Sequence, residues 1–189
     1  MKSESGVLVK IFENGLPSDT PVYIGIDQSY SGFAVTAMND TGSRTTVYKS
    51  DLRGVDRLLD IRKHLVETLT MYNSYLPIKD AAIEGYAFGS QMSNMLGELG
   101  GMVKMTLRDF NIYPLIIPPT TLKKYVTGKG QGISKSQIML HTYKKWGAEF
   151  SDDNAADSFA LAHLVAGKAT LAYEKDIYDK VQEPKYRER

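Results

Sequence analysis

The stretch Val22-Tyr23-Ile24-Gly25-Ile26-Asp27, then Gln28-Ser29-Tyr30-Ser31, then Gly32-Phe33-Ala34-Val35-Thr36-Ala37-Met38, decides how this chain folds. An apolar run of strand length ends on a carboxylate, a short polar turn follows, and a second apolar run leads away. Thr45–Lys49 reads as a third strand beyond the turn residues Asn39-Asp40-Thr41-Gly42-Ser43. Strand, turn, strand, turn, strand is an antiparallel meander. Downstream, Val55, Leu58, Leu59, Leu65, Val66 and Leu69 recur at helical spacing, predicting an amphipathic helix over Gly54–Tyr75 that Pro77 stops. Ala81–Glu84 is a short buried strand that again ends on an acid. A Met-rich helix is expected over Ser90–Phe110, and a strand over Ile112–Ile117 closed by Pro118-Pro119. Three helical stretches follow, near Thr120–Thr127, Ser134–Trp146 and Asp153–Ala169.

A meander, a helix, further strands and then three helices match a ribonuclease-H-like α/β fold. In it a five-stranded mixed sheet, antiparallel meander plus parallel strands, is flanked by helices. The expected organisation is an N-terminal arm over 1–20, with a short strand at Val7–Phe12, one domain over 21–169, and a tail or helix extension over 170–189. With 189 residues, 42% hydrophobic and 24% charged, the chain can bury one real core and is neither disordered nor collagen-like. It has no cysteine, which excludes disulfides, thiolate zinc sites and a cysteine nucleophile. No apolar window is long enough to span a membrane, and Met1–Leu8 does not read as a secretory signal, so a cytoplasmic protein is expected.

The net charge of +1 hides an uneven distribution. Between Phe110 and Ala148 stand six lysines, Lys123, Lys124, Lys129, Lys135, Lys144 and Lys145, with no acid, so the rest of the chain carries −5. Interleaved with Tyr125, Tyr143 and Trp146, this block suits a polyanion such as nucleic acid, or else a solvated lysine-rich helix pair.

Four acids fall where a sheet could gather them. Asp27 and Glu84 end strands, while Asp153 and Asp157 lie one helical turn apart at the start of the last major helix. Oxygen-only donors from distant segments suit hard divalent cations. Two Mg²⁺ ions, with Mn²⁺ as a substitute, could clamp the in-line displacement at a phosphodiester. Taken singly, each acid could equally be a turn former, a solvated strand end or a helix cap. His64, His141 and His163 have no metal-ligand partner in the sequence and are given no catalytic role.

Together these blocks resemble the RuvC family of Holliday-junction resolvases, in phage or bacteria. Ile24-Gly25-Ile26-Asp27-Gln28-Ser29 with Gly32-Phe33-Ala34-Val35 resembles the family's first strand, catalytic Asp and hairpin. Ala82-Ile83-Glu84 resembles the strand bearing its Glu. Ile117–Gly128 with Lys135-Ser136-Gln137 resembles its proline, lysine and glycine stretch, and Asp152–Ala160 its terminal acidic helix. The resemblance runs from about Val22 to Lys168. It implies Asp27, Glu84 and Asp157 as metal ligands. Lys123 becomes a DNA contact and Lys135 a charge stabiliser beside the scissile phosphate. For the fourth ligand it leaves Asp153, with Asn154 as an amide alternative and Asp152 as a remoter one.

The activity so implied is a Mg²⁺-dependent endodeoxyribonuclease that makes paired symmetric nicks in four-way DNA as a homodimer. Lys124 and Lys129 extend the DNA-binding set. Tyr86 and Phe88, just past Glu84, are candidates to stack on unpaired bases at the crossover. Met92, Met95, Gly97 and Gly100 are candidates for the dimer interface. Alternatives are a broader branched-DNA, flap-DNA or RNA nuclease of the same fold, and a junction-binding protein that does not cut. A nucleotide-binding domain of the actin or sugar-kinase type needs a second similar half and a glycine-rich adenosine site, so no nucleotide cofactor is expected.

Overall fold

Alternation along the first strand sorts its side chains between two faces of a sheet. In β1 (Val22–Asp27), Val22, Ile24 and Ile26 enter one core while Tyr23 packs against the other, which leaves Gly25 and Asp27 on Tyr23's side. The computed structural model describes residues 20–85 and 93–188. The expected arm with its Val7–Phe12 strand, and Tyr86, Phe88 and Met92, lie outside the described residues.

The sheet has five strands in the order β3-β2-β1-β4-β5. β2 (Phe33–Met38) and β3 (Ser43–Tyr48) complete the antiparallel meander, while β4 (Ile78–Glu84) and β5 (Leu115–Ile117) pair parallel on the other side of β1. The mixed ribonuclease-H-like sheet expected from the sequence is the one observed.

On one face lie α1 (Gly54–Tyr75) and α2 (Ser93–Asp109), with Ile61, Leu65, Leu69, Leu99, Val103 and Leu107 against Ile24, Ile26 and Ile83. On the other lie α3 (Pro119–Thr127), α4 (Lys135–Trp146), α5 (Asp153–Val165) and α6 (Ala172–Val181), the last followed by a 3₁₀ turn at Pro184–Tyr186. α5 is apolar nearly all round and buried. Its small side chains let its backbone rest directly on β1. A Cβ built at Gly25 would sit 2.1 Å from the Ser158 carbonyl oxygen and 2.3 Å from the Ala162 nitrogen. A buried chain of hydroxyls fixes this docking: Thr36 Oγ1 lies 2.7 Å from Thr45 Oγ1 and 2.9 Å from Ser158 Oγ.

Several elements differ from the sequence reading: β3 spans Ser43–Tyr48 rather than Thr45–Lys49, and β4 begins at Ile78 rather than Ala81. β5 begins at Leu115 rather than Ile112, because Asn111 takes a left-handed φ of 63° and Pro114 has no N–H for the ladder. The edge it leaves is met by the chain's end: Leu115 bridges Arg187, whose guanidinium grips Asp80 at 2.6 and 2.9 Å and donates to the Tyr113 carbonyl. α5 stops at Val165 instead of Ala169, since Gly167 turns left-handed (φ 67°) and reverses the chain. In α2, Met105 is 71% exposed while Leu99 and Val103 of the same helix are buried.

Candidate metal and nucleic-acid site

Two of the acids reach the α5 side of the sheet by the same rule of alternation, and a third comes from α5 itself. The β1–β4 register Ile26↔Ile83 brings Asp27 and Glu84 side by side at the strand ends. Ala81 and Ile83 face the α1–α2 core and Ala82 the α5 core, so Glu84 shares Asp27's side. The first turns of α5 then lay Asp157 over this end of the sheet, because Gly25 permits the helix to approach.

The acids feel one another. Burial first, then the charges of Glu84, Asp157 and Asp153, push the Asp27 carboxyl well above its ordinary value. Burial, followed by Asp157, raises Glu84 to about 8. Burial, followed by Asp153, raises Asp157 to about 6. Asp27 is 6% exposed, while Glu84, Asp153 and Asp157 are half-buried. Without a cation, protonation is how such a site relieves its repulsion.

Asp153 is engaged differently. It forms an ion pair with Lys135, the first residue of α4, whose side chain is otherwise largely exposed. The N-cap of α5 is its neighbour Asp152, which accepts from the Asn154 and Ala155 backbone N–H groups at 2.9 and 3.3 Å. Asn154 is buried, and its Nδ2 would lie 2.8 Å from a Cβ on Gly32 at the start of the second hairpin strand.

The donor set is oxygen-rich, buried and self-repelling, which fits a hard divalent cation. Among the described residues no three acidic or histidine side chains are drawn tightly enough to enclose an ion as they stand.

The lysine block divides. Lys123 and Lys135 act on the acids: both lower the ionisation cost of Glu84 and Asp157. Lys124 and Lys129 are exposed and Lys123 is half-buried. Lys145 belongs to the interior. It pairs with the fully buried Glu174 of α6 and donates to the Tyr125 and Val126 carbonyls at 3.1 and 3.0 Å and to the Tyr173 hydroxyl at 3.1 Å. Counting it in a solvent-facing basic block overstated that surface. His163 is likewise internal, with Nδ1 2.8 Å from the Tyr125 hydroxyl and its ring stacked on Trp146. Burial lowers it to about 3. Of the α2 candidates, Met95 and Gly97 are exposed and Gly100 is buried.

One residue at the site was not singled out from the sequence. Gln28 is 6% exposed, and its Nε2 donates to the Glu84 backbone oxygen at 2.5 Å while its Oε1 is buried without a partner among the described residues. Its position directly after Asp27 was the only sequence signal available.

Comparison with family models and with curated proteins gives no match. Solved structures do match. RuvC of Thermus thermophilus is 16% identical, over 88% of this chain and 98% of that one, with a TM-score of 0.61. The T. thermophilus RuvC structure in complex with a Holliday junction substrate is 18% identical, over 75% and 90%, with a TM-score of 0.59. The yeast mitochondrial Holliday junction resolvase Ydc2 is 14% identical, over 91% and 84%, with a TM-score of 0.50. The chain therefore has a RuvC-like fold, and at these identities it is the fold that the likeness establishes. No helix among the described residues is long and apolar enough to cross a membrane.

Proposed function

We propose that this chain is a Holliday-junction resolvase, a divalent-metal endodeoxyribonuclease that nicks four-way DNA in symmetric pairs. The observation that carries the reading is the gathering of Asp27, Glu84 and Asp157 from three distant segments at one end of the sheet, in a fold shared with junction resolvases. Asp27, Glu84, Asp157 and Asp153 would hold the ions, with Asn154 as an amide donor beside them. Two Mg²⁺ ions, or Mn²⁺ in their place, supply when bound the Lewis acidity that activates a water and stabilises the leaving oxygen.

The chain's own residues do the rest. Asp27 and Glu84, fixed on adjacent strand ends, would hold a cation in a set place against the reacting phosphate. Lys135, paired with Asp153 beside these acids, would neutralise charge growing on the phosphate. Lys123, Lys124 and Lys129 contact the DNA backbone, and Tyr86 and Phe88 stack on bases opened at the crossover. Paired nicks require two active sites, so the working form is a homodimer, with Met95 and Gly97 on the exposed side of α2, together with Met92, as its contact region; the buried Gly100 stays within the chain's own packing. A cytoplasmic place in a bacterial or phage-infected cell suits such a nuclease.

Cleavage of labelled four-way, flap and linear duplex DNA compared in Mg²⁺ tests the reading. Paired nicks confined to the four-way substrate support it. Equal cutting of flaps would make the chain a broader branched-DNA nuclease, and junction binding without nicks in Mg²⁺ or Mn²⁺ would make it a binding protein.

A further inference from the structure

Gln28 carries an unmet bonding requirement at the one place where the acids converge. The bond from Nε2 to the Glu84 carbonyl assigns the amide, because a carbonyl oxygen can only be met by the nitrogen end. Oε1 is therefore the free end, and it is buried with no hydrogen-bond partner among the described residues. No group among the described residues donates to it. A buried acceptor of this kind is retained where a donor arrives with a ligand. Water carried on a hard cation fits: it is polarised to donate, and Mg²⁺ keeps several of its waters when carboxylates bind it.

We propose that Gln28 is a positioning residue of the cation site, its Oε1 accepting a hydrogen bond from the aqua shell of an ion held by Asp27 and Glu84. The proposal rests on the metal-site reading given above. Gln28 thereby ties the two strand ends together through Nε2 and orients the ion's water through Oε1. Residues that support a metal's ligands in this way commonly change metal affinity 10–100-fold when altered.

The test is calorimetric titration of the metal-free full chain with Mn²⁺ at fixed pH, with thermal unfolding to check that each protein is folded. Asp27→Asn serves as the control for the site. Gln28→Met keeps the side chain's length and loses both polar ends. Gln28→Glu keeps an oxygen acceptor and loses the donor to Glu84. The expected result is Mn²⁺ uptake by the wild type that Asp27→Asn removes, about tenfold or more weaker uptake by Gln28→Met, and uptake by Gln28→Glu no weaker than wild type. Should Gln28→Met fail to fold, Gln28→Glu decides: uptake at or above wild type supports the proposal, and weaker uptake overturns it. Gln28→Met within threefold of wild type, or equal losses in both variants, also overturns it, the second by assigning the whole effect to the Nε2 bond. Uptake unaffected by Asp27→Asn is a different failure, that of the metal-site reading itself.

Discussion

Gly25→Ala is the smallest change that separates the acid-bearing helix from the acid-bearing strand. The added methyl would meet the Ser158 carbonyl oxygen at 2.1 Å, the Ala162 nitrogen at 2.3 Å and the Ala162 Cα at 3.0 Å. All three are backbone atoms, so no side chain can swing aside. Reaching an ordinary carbon–oxygen approach of about 3.3 Å requires α5 to retreat from β1 by about 1 Å. Overpacking of this kind costs about 1–3 kcal/mol, and the rigid neighbours argue for the upper end. For a chain of this size about 3 kcal/mol lowers Tm by roughly 6–12 °C. The same retreat carries Asp153 and Asp157 away from Asp27 and Glu84, and a displacement of about 1 Å can cost a hundredfold in rate. The assays are thermal unfolding and single-turnover junction cleavage at a temperature where the variant is folded. Gly101→Ala is the matched control, because nothing lies within 4 Å of its Cβ. It should stabilise α2 by about 0.5–1 kcal/mol through helix propensity. A Gly25→Ala protein with wild-type Tm and wild-type cleavage would refute the account of how the acids are brought together.

Other perturbations probe separate parts of the structure. Glu84 (about 8) and Asp157 (about 6) have folded values above their unfolded ones, so their contribution to stability is full at low pH and is lost as pH rises through those values. The unfolding free energy of the protein in EDTA should therefore fall between pH 6 and 8, by up to about 1.4 kcal/mol per pH unit from Glu84 and seen as a falling Tm, while Mg²⁺ lifts Tm more at pH 8 than at pH 6. A metal-free Tm that climbs over that interval contradicts the buried-carboxylate picture. Lys135→Ala should slow cleavage much more than it weakens junction binding in gel shifts; equal losses would reduce Lys135 to an ordinary phosphate contact. Lys145→Met leaves the buried Glu174 carboxylate without its ion partner, held only by donors from Thr170 and Leu171, a defect of about 3 kcal/mol in urea unfolding, with junction affinity unchanged in the folded protein. Loss of affinity instead would return Lys145 to the DNA-facing surface.

Much of this architecture was legible because local chemistry and tertiary role agree. In Val22–Met38 the alternation, the polar turn and the terminal acid all point the same way, and α1 runs over its expected span since Gly54 and Pro77 bound its apolar period. Asp27, Glu84 and Asp157 could be picked out because strand ends and a helix start are where a sheet gathers side chains. What escaped depended on partners far along the chain. Lys145 reads as one more surface lysine until Glu174 folds back on it, and β5 is cut short by a left-handed Asn111, a proline and the returning Arg187. Gly25 looks like a gap in an apolar run, and only the approach of α5 gives it meaning. α2 carries methionines on several sides, so its period could not tell the exposed Met105 from the buried Leu99. Adjacent acids were equally ambiguous: Asp152 caps the helix and Asp153 meets Lys135, roles that spacing alone does not divide.

The most direct test is to follow a labelled four-way junction with wild type and with Asp27→Asn, measuring binding in EDTA and nicking after Mg²⁺ is added. The account predicts that both proteins bind the junction, and that only the wild type produces paired nicks. Nicking by Asp27→Asn at the wild-type rate, or nicking by wild type in EDTA, would contradict a metal-dependent centre built on these acids.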